Sequence, residues 1–144
     1  VSHVKVTGLK SNLVTMKPLL VLCLLISIAA PKKLPVAFQK MWGELAGGFQ
    51  AGCAAENNLD MEAASGIITR FEAPDIAPVH CYVKCMVEKM KFMTPDGKMD
   101  KAMVVDTVHL FTNELVDSCV IQEENSCRKA YLVSLCVLNG IAED

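Results

Sequence analysis

The sequence has no surplus of positive charge. Fourteen Lys and Arg stand against sixteen Asp and Glu in 144 residues, a net charge of −2. That excludes the strongly basic surface of a nucleic-acid-binding domain. No C-x2-C pair and no H-x3-H spacing occurs, so common zinc sites and a thioredoxin-like redox centre lack their ligands. No G-x-S-x-G and no phosphate-binding loop occurs either, so familiar hydrolytic and nucleotide-binding motifs are missing. Aromatic residues are scarce at 6%, and there are three His. Long apolar runs are absent: the longest, of about a dozen residues, falls short of the roughly 20 needed to cross a membrane. With 52% apolar and 21% charged residues, the chain is neither a multi-span membrane protein nor a disordered one. Its length suits one domain.

What is abundant is sulfur: seven Cys and eight Met. An odd cysteine count leaves one thiol unmatched in an oxidised protein. The N-terminal region accounts for it. Met16-Lys17 is followed by the apolar run from Leu19 to Ile26 and then by Ser27-Ile28-Ala29-Ala30. A basic start, an apolar stretch and a small-x-small end read as a secretory signal peptide over 16–29, cleaved after Ala29. Met16 is the first Met, so residues 1–15 are expected to be translated upstream sequence or an artefactual extension. The mature domain would span 30–144. Removal of Lys5, Lys10 and Lys17 leaves eleven cations against sixteen acids, a net charge of −5. Cys23 leaves too, and six cysteines remain: Cys53, Cys81, Cys85, Cys119, Cys127 and Cys136. Secretion and an even count together predict a disulfide framework, with no metal.

Helical periodicity dominates the mature part, and no strand-like alternation interrupts it. The first helix is expected from Val36 to Glu56, starting behind Pro35, with Met41, Leu45 and Phe49 as apolar members. Asn57-Asn58-Leu59-Asp60 reads as a stop followed by a cap. The second helix then runs from Asp60 to Arg70, with Met61, Ala64, Ile67, Ile68 and Phe71 on one face. A third, Pro78 to Phe92, carries Val83, Met86, Val87 and Met90. Thr94-Pro95-Asp96-Gly97 is a turn whose spacing of acids does not fit a calcium loop. A fourth helix is expected over Asp100–Cys119, with Met103, Thr107, Val108, Phe111 and Leu115 as its stripe. A fifth runs from Ser126 to Leu138, with Tyr131, Leu132 and Leu135, and is stopped by Gly140. The fold class is all-α.

Six cysteines allow fifteen pairings. Cys81 and Cys85, four apart on a helix, hold their Cβ atoms about 5–6 Å apart, too far for a disulfide. They bond outward to different partners, which leaves twelve pairings. Cys127 and Cys136, nine apart, lie on opposite sides of their helix.

Catalytic parts are hard to assemble: only His80 and His109 survive processing, so no enzyme, no catalytic residue and no cofactor is expected. What the sequence offers instead is apolar helical faces in excess of need. A shell of helices stapled by disulfides, each worth very roughly 2–4 kcal/mol, tolerates a dry internal cavity. The expected pocket residues are Met41, Leu45, Ile68, Phe71, Met90, Met103, Val108, Phe111 and Leu135, with Thr107, Tyr131 and Ser134 as polar groups that orient a ligand.

The cysteine spacing is C-x27-C-x3-C-x33-C-x7-C-x8-C. With Cys81-Tyr82-Val83-Lys84-Cys85, the Pro95-Asp96-Gly97-Lys98 turn and the x8 interval from Cys127 to Cys136, it resembles the six-cysteine insect odorant-binding proteins of the pheromone- and general-odorant-binding family. The third and fourth intervals are short for that family. The resemblance implies about six helices around an apolar cavity and the pairing Cys53–Cys85, Cys81–Cys127 and Cys119–Cys136. It also implies a secreted carrier that binds a small hydrophobic odorant or pheromone reversibly and moves it through aqueous fluid to a membrane receptor of sensory neurons. Nucleic acid and membrane insertion have no place in that role, and a homodimer is compatible with it. Some family members insert a long C-terminal segment into the pocket; here eight residues follow Cys136, too few to fill a cavity as a helix. The alternative from another class is a secreted, disulfide-stabilised interaction protein, venom- or saliva-like, acting on a protein partner.

Overall fold

The computed structural model describes residues 30–144. The expected leader at 16–29 and the extension at 1–15 lie outside the described residues. Six helices follow one another: α1 Val36–Glu56, α2 Met61–Thr69, α3 Ala77–Lys89, α4 Lys101–Thr107, α5 Asn113–Ser118 and α6 Ser126–Ile141. No strand occurs among the described residues, only the isolated bridges Lys33 with Glu143 and Met93 with Met99.

Local chemistry sets most boundaries. Side-chain oxygens accept from the backbone N–H three residues on at four starts: Asp60 to Ala63, Asp100 to Met103, Thr112 to Leu115 and Asn125 to Arg128. Each satisfies a donor that the first turn leaves free. Helix α3 instead starts with Pro in its first turn, where no N–H is needed. At the end of α1, the Asn57 amide Nδ2 donates to the Cys53 carbonyl. Asn58 then takes a left-handed backbone at φ 53°, which Asn adopts more readily than other side-chain-bearing residues.

Three sequence expectations are corrected. The continuous helix over Asp100–Cys119 is two short ones, α4 and α5. The chain turns at Val108, whose carbonyl accepts from Phe111 N, and Thr112 caps a new start. Thr-Asn-Glu is a helix-opening triplet, and here it outweighs the apolar stripe that runs through it. Helix α3 ends at Lys89 rather than Phe92, where Lys91 turns left-handed at φ 61°. Gly140 does not stop α6, which continues to Ile141. A Cβ at Gly140 would collide with the Leu115 side chain, so the glycine serves the close approach of α5 to α6.

The three disulfides are Cys53–Cys85, Cys81–Cys127 and Cys119–Cys136. They tie α1 to α3, α3 to α6, and the end of α5 to α6. The two ends of α6 are thus held by different neighbours. Helices α3 and α6 make the most extensive pairing, and α1 packs on α2 and α3. The core between them includes Phe38, Val79, Met86, Val104, Val108 and Ala130. The first and last described segments pair: Lys33 N donates to Glu143 O at 2.9 Å and Glu143 N to Lys33 O at 2.8 Å.

Candidate ligand cavity

Inside this shell lies an apolar cavity of about 60 Å³. Phe38 and Trp42 from α1 form one wall, with ring centroids 5.8 Å apart. Ile67 and Ile68 come from α2, and Tyr82, Val83, Met86 and Val87 from α3. Phe92, Met93 and Met99 reach in from the loop after α3, and Val104 and Phe111 from α4 and the turn behind it. Helix α6 closes the far side with Tyr131, Ser134, Leu135, Val137 and Leu138.

The elements explain the placement. On α1, Phe38, Trp42 and Ala46 recur every four residues and share the inward face. On α3, Tyr82, Val83, Met86 and Val87 follow the three-and-four spacing of a buried stripe. Met93 and Met99 face each other across the turn Thr94–Lys98, where Gly97 has φ 79°. Thr94 N donates to Lys98 O, and the Thr94 hydroxyl lies 2.6 Å from Asp96 Oδ1. That hydrogen bond, aided by Lys98, holds the Asp96 carboxyl below the usual range.

Polar groups at the cavity are few. The Tyr131 hydroxyl donates to the Ala73 carbonyl at 2.7 Å. The Tyr131 ring lies against buried His80, centroids 4.4 Å apart, and His80 Nε2 is 2.6 Å from Asp75 Oδ1. Burial, and then the Asp75 charge, raise the Tyr131 phenol. Burial pushes the Tyr82 phenol up to about 12. Tyr131, His80 and Asp75 fasten the α2–α3 connection, residues 70–76, to α3 and α6 beside the cavity.

Of the twelve residues expected at the pocket, Ile68, Phe111, Tyr131, Ser134 and Leu135 line it. The other seven do not. Val108 is fully buried in the core, and Met41, Phe71 and Met90 pack against the core from outside it. Leu45 and Met103 are exposed at 38% and 40%. The Thr107 hydroxyl donates to Met103 Sδ along the outside of α4. The miss at Met103 and Thr107 follows from the broken helix, because ending α4 at Thr107 uncouples its face from Phe111. The wall residues that sequence periodicity passed over include Met93 and Met99, which sit outside any helix. Their signal was a pair of methionines flanking a Pro-Asp-Gly turn.

No group of acidic, His and Cys side chains suited to a metal ion occurs among the described residues. No helix among them is long and apolar enough to cross a membrane. His109 is exposed. The C-terminal residues after Ile141 pair with the Lys33 segment rather than entering the cavity.

The model of the PBP/GOBP family matches residues 37–140. No curated protein and no solved structure matches the chain.

Proposed function

Because the chain belongs to the PBP/GOBP family, whose members are secreted binding proteins rather than enzymes, we propose that it is an extracellular carrier of small hydrophobic molecules, odorants or pheromones among them. The observation that carries this reading is the apolar cavity walled by five of the six helices. Binding there would draw mainly on burial, at about 25 cal/mol per Å² of apolar area. The cavity at about 60 Å³ is small, with room for only a few water molecules. Uptake therefore requires the wall to move. Met86, Met93 and Met99 supply the means, since an unbranched thioether side chain repacks at little cost. The disulfides would hold the helices while the side chains yield.

The test is displacement of a fluorescent apolar probe from the disulfide-bonded protein. Saturable uptake, displaced by volatile hydrocarbons or ketones and lost on reduction, is the expected result. A protein that takes up no apolar probe is no carrier. Binding that survives full reduction would contradict the role given to the disulfides.

A further inference from the structure

Trp42 lies on the cavity wall, and its indole Nε1 is closed off from water with no acceptor among the described residues. A buried donor without a partner is costly, and native interiors rarely leave one unexplained. The other unpartnered atom of this kind, Glu88 Oε1, has the Lys84 ammonium 2.7 Å away to neutralise it. Trp42 has no such neighbour. A trapped water would need two or more polar partners, and the ring beside Trp42 on this wall is the apolar Phe38.

We propose that Trp42 Nε1 is a specificity-determining donor of the cavity, and that it favours an apolar ligand carrying a hydrogen-bond acceptor oxygen, such as a ketone, aldehyde or ester. This rests on the carrier reading above. Indole N–H donates and cannot accept, so it rewards a carbonyl or ether oxygen and leaves a pure hydrocarbon without recompense. The Tyr131 hydroxyl gives its proton to the Ala73 carbonyl; the Tyr82 and Ser134 hydroxyls also lie on the wall, but a hydroxyl both donates and accepts and so discriminates less than the donor-only indole. A carbonyl reaching Nε1 as the wall opens would satisfy the orphaned donor in the same step that buries the alkyl chain.

The experiment compares n-decane and 2-decanone on the wild-type protein and on Trp42→Phe. Phe keeps an aromatic ring beside Phe38 and removes the donor together with part of the indole's bulk, a change of shape that both ligands meet. Comparing each ligand across the two proteins cancels its own hydration. The substitution is expected to weaken 2-decanone binding roughly ten-fold more than decane binding, the decane change reporting the lost bulk and the excess reporting the lost donor. Decane binding and the far-UV circular dichroism report whether the variant is folded. Trp42 is the one Trp of the chain, so wild-type emission gives a second readout: 2-decanone should red-shift it relative to decane. An unchanged ketone affinity, an equal loss for both ligands, or identical emission with both would overturn the assignment while leaving the carrier standing. Failure of the wild-type protein to bind either ligand would remove the carrier reading and this inference together.

Discussion

Burial alone lifts the Tyr82 phenol to about 12, against roughly 10 in an unfolded chain. Between those values the folded state keeps a proton that the unfolded state has lost, so stability falls as pH rises through that window. Chemical denaturation of wild type and Tyr82→Phe from pH 9 to pH 12 should show a steeper decline in the wild type. Two glycines give a paired test of opposite sign. Gly47 lies inside α1, and a Cβ there would meet nothing within 4 Å. Gly47→Ala should stabilise by up to about 1 kcal/mol through helix propensity. Gly97 sits at φ 79° beside the Lys129 stem, and Gly97→Ala should cost about 1–2 kcal/mol for forcing a left-handed Ala. Thermal unfolding of the two variants checks both. Residue types told the difference poorly: a glycine inside a helix and a glycine in a Pro-Asp-Gly turn were both legible, but Gly140 was not. Whether a neighbouring helix needs the space of a missing Cβ depends on a partner far along the chain.

At the scale of elements, capping decided what apolar periodicity could not. The stripe Met103, Thr107, Val108, Phe111 and Leu115 is continuous in sequence, yet Thr112 opens a separate six-residue helix. So short a helix has no stability of its own; it rests on its cap, on Leu115 packed against the core and on the Cys119 bond. Thr112→Ala should cost about 1 kcal/mol. Faster amide exchange confined to 113–118, measured by hydrogen exchange, is the expected signature. Elsewhere the same signals were readable in advance. Asp60 behind Asn57-Asn58 marked the α1–α2 junction, and Pro78 marked the start of α3. Those signals are local, involving residues within one turn of each other, and this is why they survive without tertiary information.

For the molecule as a whole, the cross-links set the frame. The loops they close differ in length, with separations of 32, 46 and 17 residues. By chain entropy, a 17-residue loop is worth about 3 kcal/mol and a 46-residue loop about 4. Replacing both members of a pair by Ala should therefore hurt most at Cys81–Cys127 and least at Cys119–Cys136, as ranked by denaturant midpoints. The central link also joins α3 and α6, the two helices that contribute most of the cavity wall, so its loss should be the one that most weakens probe binding.

The sequence by itself determined the all-α class, five of the six helix starts to within a residue, the six cysteines and, through their resemblance to a family, how they pair. These rest on local hydrogen bonding, on the 3.6-residue period and on a spacing pattern that is linear information. It also placed Ile68, Phe111, Tyr131, Ser134 and Leu135 on candidate faces. Only the tertiary structure decided which apolar residues wall the cavity and which fill the core or face water. A stripe tells that a side chain is buried, but not against what. Met93 and Met99 reach the cavity because a turn folds them back, and Trp42 matters because an atom of its ring was buried without a partner. Both facts come into being when distant segments close around one space.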